Sequence, residues 1–207
     1  ITSGGRNTAV GSLALAAITT ADDCTAIGYA ASDAATGAQN TFLGSSTCIG
    51  VALSGSNNTL IGYAATPSGA GVSNTFTLGN SSIATLRCQV TTITALSDAR
   101  DKKDIKPLPA GMDLELINTL VPRLWTWDLR DGGKVGDPGM GCVAQGLLSA
   151  MEQCGVSVPH LVDQSNPEKL EAGYGVLLPI AIRAIQQLSD ALDRTNRRLR
   201  AVEEAHG

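Results

Sequence analysis

A five-residue pattern constrains the first half of this chain more than any other feature. Asn7-Thr8-Ala9-Val10-Gly11 recurs as Cys24-Thr25-Ala26-Ile27-Gly28, as Asn40-Thr41-Phe42-Leu43-Gly44 and as Asn58-Thr59-Leu60-Ile61-Gly62. Asn74-Thr75-Phe76-Thr77-Leu78-Gly79 reads as a fifth copy with one residue inserted. The glycines fall at 11, 28, 44, 62 and 79, a spacing of 16 to 18 residues. A repeat of this kind points to a solenoid or array, because one unit is too small to bury a face and stacked units are not. Each copy offers a short β-prone run bounded by turn residues. A helix is a poor reading, since Thr, Gly, Asn and Ser are too frequent. The Gly after each run suits a tight corner, and the Asn heading four copies either caps a turn or stacks as a ladder. Two architectures follow: a β-solenoid closed by one chain, or three chains wound around one axis. The small apolar content per repeat favours the three-chain form, in which each chain supplies part of a shared core. Phe42, Phe76, Tyr29 and Tyr63 recur at related positions and read as packing residues rather than a ligand platform. The array itself reads as a spacer.

Charge divides the chain. Residues 1–96 carry 2 Lys+Arg and 3 Asp+Glu, whereas residues 97–207 carry 13 and 16. A boundary near residue 97 follows, giving domains 1–96 and 97–207. The net charge of −4, with basic residues interleaved among acids, argues against a nucleic-acid partner. Aromatic residues make up only 3%, low for an ordinary enzyme core. The five cysteines, Cys24, Cys48, Cys88, Cys142 and Cys154, include no CxxC pair, and only two histidines accompany them. They read as buried reduced thiols; neither a metal site nor a cofactor is expected. No 18-residue apolar run predicts membrane insertion. No leader opens the chain, and Ile1 in place of an initiator Met reads as a fragment or processed chain.

The boundary holds the densest charge cluster, Ser97-Asp98-Ala99-Arg100-Asp101-Lys102-Lys103-Asp104. Upstream, Ser82–Leu96 is rich in β-branched residues, with Val90, Ile93 and Leu96 three apart, and predicts an extended strand-like segment. Ser97 becomes a nucleophile only when a base takes its proton. Lys102 can do so only as the neutral amine, which burial or cationic neighbours such as Arg100 and Lys103 favour. Five residues apart, the two lie on different faces of a helix or strand. A turn, or a neighbouring chain, must bring them together.

Beyond the cluster, Leu114, Ile117, Leu120 and Val121 predict a helix over Met112–Leu120, stopped by Pro122. Leu124-Trp125-Thr126-Trp127 reads as a strand, Asp131-Gly132-Gly133 as a turn, and Gly141–Gln145 as a second strand before a helix over Leu147–Cys154. His160 reads as a lone strand or turn residue, and the only other His is His206, so Ser-His-Asp catalysis has little support. Tyr174–Pro179 leads into a final helix in which Ile185, Leu188, Leu192, Thr195, Leu199 and Val202 alternate three and four apart, a coiled-coil seam. Arg194, Arg197, Arg198 and Arg200 suit the C-terminal pole of that helix, solvated or paired with Glu203 and Glu204.

Ser97-Asp98-x-Arg100-x-Lys102 with Ile105 following, the Gly141-Cys142-Val143-Ala144-Gln145 segment, and Tyr174…Pro179 entering the last helix together resemble a family. It is the C-terminal intramolecular chaperone of phage tail fibres and tailspikes, the peptidase S74 or endosialidase-type chaperone. The repeats resemble units of trimeric β-roll adhesin heads and of phage fibre stems. An adhesin would need a membrane anchor after the coiled coil, and none is read here. The resemblance implies a mostly β, trimeric β-helix or β-roll stem followed by an α+β chaperone domain ending in a long helix and trimeric coiled coil. It implies that the domain drives trimerisation and stem folding, then cuts itself off. Ser97 and Lys102 fall on the cleavage dyad, with Asp98 and Arg100 shaping the loop. The expected scissile bond is Leu96–Ser97, with Ser97–Asp98 as second choice. Many members carry an acid after the glutamine, where this chain has Gly146. Gln145 reads as structural. The implied partners are two further copies in a homotrimer, other virion tail proteins and a host cell-surface receptor. The implied location is the virion, after folding in the host cytoplasm. The alternative reading is a non-cleaving structural or receptor-binding fibre tip that keeps the domain attached.

Overall fold

The computed structural model describes residues 4–89, 93–130 and 132–206. The sequence features at Ile1, Val90 and Asp131 lie outside them. The chain forms two compact units: Ile1–Gln89 with Thr126–Asp137 and Ser165–Lys169, and Val90–Trp125 with Pro138–Gln164 and Leu170–Gly207.

The first unit is a single-chain β-solenoid. Strands β1 (Thr8–Val10), β2 (Thr25–Ile27), β3 (Thr41–Leu43), β4 (Thr59–Ile61) and β5 (Phe76–Leu78) stack in sequence order as one parallel sheet. Each coil contributes one strand, in register: Thr8 opposite Thr25, Thr25 opposite Thr41, Thr41 opposite Thr59. Thr59 then pairs with Phe76, not Thr75. The fifth copy therefore contains no insertion: Thr75 occupies the Asn position and Phe76 the Thr position. Hydrogen bonding decides this register. Thr75 N donates to Asn58 Oδ1 at 3.1 Å, as Asn58 N does to Asn40 Oδ1 at 2.9 Å and Cys24 N to Asn7 Oδ1 at 2.8 Å.

These amides form the ladder that the repeat allowed for. Asn40 and Asn58 are fully buried, and the Asn40 amide donates to both Gly37 O and Gly55 O at 2.9 Å. A buried polar side chain is tolerable only when so satisfied. Left-handed corners turn the coil at the residue before each ladder position: Arg6, Asp23, Gln39, Asn57 and Asn74 all have φ between 56 and 61. The glycine column is forced by close approach. A Cβ on Gly28 would sit 2.5 Å from Gly44 O, and one on Gly11 equally close to Gly28 O.

The core of this unit is enclosed within the chain: Ile18, Cys24, Ala26, Phe42, Leu53, Leu60 and Ala65 are buried together. Of the two architectures the sequence allowed, the described repeats adopt the one closed by a single chain. Few apolar residues per coil suffice, because the ladder and the backbone fill much of a narrow interior. The middle strand residue points in and its neighbours point out. Of the four aromatic residues read as packing, only Phe42 is buried; Phe76, Tyr29 and Tyr63 are exposed.

Of the strand predicted before Ser97, the described parts of Ser82–Leu96 show none. β-branched residues make a strand only against a partner ladder. The second unit contains α1 (Leu114–Thr119), α2 (Ala144–Gln153) and α3 (Leu177–His206), with a short antiparallel pair, β8 (Val162–Asp163) and β9 (Glu171–Ala172). β6 (Arg123–Asp128) pairs with β7 (Val135–Gly141). The strand expected over Gly141–Gln145 thus lies earlier, and α2 already begins at Ala144. Leu116, Leu147, Ala150, Val158, Leu161 and Ile180 form the second core. His160 sits in a turn at φ 61. Of the five cysteines read as buried thiols, Cys24 and Cys48 are buried, whereas Cys88 is exposed and Cys142 and Cys154 are half-buried.

Candidate functional site

A one-turn 3-10 helix, Ala99–Asp101, brings Ser97 and Lys102 together. Asp98 caps it, accepting from Arg100 N at 2.9 Å. The same carboxylate accepts the Arg100 guanidinium, Nη2 to Oδ2 at 2.6 Å. The Arg100 side chain and backbone N–H hold the Asp98 carboxyl below its ordinary range. The turn is closed by Lys102 N donating to Ala99 O, and the chain reverses. Lys102 Nζ then lies 2.7 Å from Ser97 Oγ and 3.2 Å from Ser97 O. The intervening turn that five-residue spacing demanded is present in one chain.

Ser97 and Lys102 are both exposed, as is Leu96. The single chain therefore does not bury the amine, and the cationic neighbours Arg100 and Lys103 flank it in sequence.

Two further features escaped the sequence reading. Asp113 is nearly buried; its carboxylate accepts from Glu115 N at 3.1 Å and from Gln187 Nε2 at 3.0 Å, with Arg183 Nε 3.9 Å away. The Glu115 N–H first, then Gln187 and Arg183, depress its pKa. Arg183 Nη1 also donates to Leu108 O at 2.5 Å, and Gln187 Oε1 accepts from Leu114 N at 3.0 Å. So α3 grips the segment that follows the Ser97–Lys102 turn. An Asp directly before a helical apolar run is an N-cap signal, but its partners 70 residues on leave no local trace. The second feature is a packed corner. A Cβ on Gly141 would meet Tyr174 Oη at 2.8 Å, and Tyr174 Oη donates to Cys142 O.

Gln145 and Gly146 lie in the first turn of α2. They line a pocket of about 420 Å³ with Thr119, Arg123, Ser149 and Gln153. The coiled-coil seam on α3 is exposed: Ile185, Leu188, Leu192, Leu199 and Val202 each show half or more of their surface, and Thr195 is exposed with them. Ile180 and Ala184, on the flank of that seam in the first turns of the helix, are buried. Arg194, Arg197, Arg198 and Arg200 are exposed. Among the described residues no helix is long and apolar enough to cross a membrane.

Residues 97–156 match the family model of peptidase S74, described as the chaperone of endosialidase. The match begins on Ser97 and runs through α1, β6, β7 and α2. It supports a chaperone domain in the second half, of a family associated with self-cleaving peptidases. No curated protein and no solved structure matches the chain.

Proposed function

We propose that this chain is the C-terminal region of a phage tail fibre or tailspike, with residues 1–96 as stem and 97–207 as a self-cleaving folding chaperone. The observation that carries the reading is the 2.7 Å contact of Lys102 Nζ with Ser97 Oγ at the first residues of the family match. The α3 seam gathers three chains and fixes their register, which removes much of the entropy cost of joining them. Assembly then covers the exposed turn and favours the neutral amine of Lys102. Lys102 takes the Ser97 hydroxyl proton as Oγ attacks the Leu96 carbonyl carbon. The new Oγ–C ester bond forms, the Leu96–Ser97 C–N bond breaks, and Lys102 returns the proton to the Ser97 nitrogen. Water hydrolyses the ester, freeing the Leu96 carboxylate and the Ser97 hydroxyl. Attack at the Ser97–Asp98 bond is the second choice. The reaction occurs once per chain and needs no cofactor. The partners are two further copies, other virion tail proteins and a host cell-surface receptor; the chain folds in the host cytoplasm and ends in the virion.

A denaturing gel of the purified chain tests this. Fragments 1–96 and 97–207 are expected, and Ser97→Ala and Lys102→Ala each abolish them. A single full-length band after long incubation contradicts cutting. It supports the alternative, a structural or receptor-binding tip that keeps its domain, which the exposure of Lys102 favours.

A further inference from the structure

One cavity of the second unit has no part in the Ser97–Lys102 turn. It is the pocket of about 420 Å³ between the end of α1, the start of β6 and α2, within the ~300–1,000 Å³ typical of ligand pockets. Leu120, Val121 and Val143 give it an apolar part, and Arg123 lines it beside them. Among the described residues the Arg123 guanidinium has neither a hydrogen bond nor an ion pair, and the Gln145 side-chain amide is equally unengaged. No acidic side chain lines the pocket. The first turn of α2 carries no acid either, and Val143 caps it without a side-chain hydrogen bond. An apolar surface and an uncompensated positive charge thus stand side by side. The chemistry that complements both at once is an apolar residue bearing a carboxylate.

We propose that this pocket holds the chain end that cutting creates, with the Leu96 side chain against its apolar part and the Leu96 carboxylate on Arg123. The proposal rests on the cutting reading and deepens it. In the uncut chain the Leu96 carbonyl belongs to a neutral peptide bond, and no residue from Val90 to Ser97 is charged. Breaking the Leu96–Ser97 bond puts a full negative charge directly on a leucine. The pocket therefore tells cut chain from uncut by charge. A guanidinium offers two parallel N–H donors to a carboxylate, a pairing that a peptide carbonyl cannot match. The leucine also lacks cover where it stands: Leu96 shows 81% of its surface and Ile93 95%, so the new end has apolar area to bury. Its tether is long, since the chain from Gly79 to Leu96 spans as much as ~60 Å when extended. Parting of the two halves is then a separate step after cutting, governed by how fast the leucine leaves.

The test uses the full chain carrying Ser97→Ala, so that no product of its own competes. The probe is the peptide Gln-Val-Thr-Thr-Ile-Thr-Ala-Leu, made with a free carboxylate and with a terminal amide, its binding read by the fluorescence anisotropy of a dye on its first residue. The acid is expected to bind at least ~10-fold tighter than the amide. Arg123→Gln is expected to erase that preference, and Val121→Asp to weaken the acid at least ~10-fold. Both residues are exposed, so neither change touches the core. Arg194→Gln, an exposed guanidinium on α3, is the control and is expected to alter nothing. In the chain with Ser97 intact, the halves are expected to part faster when Arg123→Gln is present. Equal binding of acid and amide overturns the proposal, as does an acid preference that survives Arg123→Gln, or an unchanged rate of parting. The denaturing gel reads cutting separately. Fragments without an acid preference sink the pocket and leave cutting; an acid preference in a chain that is never cut sinks cutting, and Leu96 as the occupant with it.

Discussion

At the scale of single residues, the solenoid is held by groups that have no alternative place. Asn40 satisfies two carbonyls and the next amide of the ladder. Asn40→Ala leaves them buried and unpaired, and we expect a loss of about 2–4 kcal/mol in denaturant unfolding. Ser32 is the contrast: its hydroxyl is buried with no hydrogen-bond partner. Ser32→Ala is expected to be neutral or stabilising by about 1 kcal/mol in the same measurement. Gly28 combines φ 138 with a backbone oxygen 2.5 Å from any added Cβ. Gly28→Ala is expected to cost about 3 kcal/mol or to prevent folding, read as a lost thermal transition. Cys48 is pushed up to about 12, by burial first and by Asp33 second. An alkylating reagent should therefore label exposed Cys88 and spare Cys48 until the chain unfolds. The repeat made the glycine column and the ladder legible. It misplaced the fifth copy, because Asn74-Thr75 imitates the pattern one residue early, and only the hydrogen bond to Asn58 sets the register.

At the scale of elements, the exposed Ser97–Lys102 turn is followed by a segment that α3 holds through Asp113, Arg183 and Gln187. The Asp113 carboxyl is depressed by its bonds, so its contribution is complete above the ordinary aspartate range, near 3.9. That contribution is lost as pH falls through the lowered folded-state value. Acid unfolding of the second unit should therefore begin below about pH 4. Asp113→Asn should flatten that limb in a melting series against pH. Helix and strand types in this half were readable from periodicity and from the Trp-x-Trp alternation. Boundaries were not: α2 starts at Ala144 because β7 ends at Gly141, where Trp125 and Tyr174 crowd the backbone. The described residues of the segment before Ser97 carry no strand, for want of a partner that no local propensity encodes.

At the scale of the whole molecule, the α3 seam is uncovered in a single chain, and so is Lys102. On the trimeric reading proposed above, one event, association, covers both the seam and the turn. Cutting should then depend on concentration: dilution below the association range is expected to slow it steeply, whereas a reaction internal to an isolated chain would not change. The seam was legible as a heptad pattern. The exposure of the dyad was not, since the sequence pairs Ser97 with Lys102 by spacing but says nothing of what packs on the turn.

The most direct measurement is intact-mass spectrometry of freshly synthesised chain over time at micromolar concentration. The account predicts a fragment ending at Leu96 and a complementary one beginning at Ser97, both absent from Ser97→Ala and Lys102→Ala. A chain that associates fully yet keeps a single uncut mass, or is cut equally well without Lys102, would contradict it.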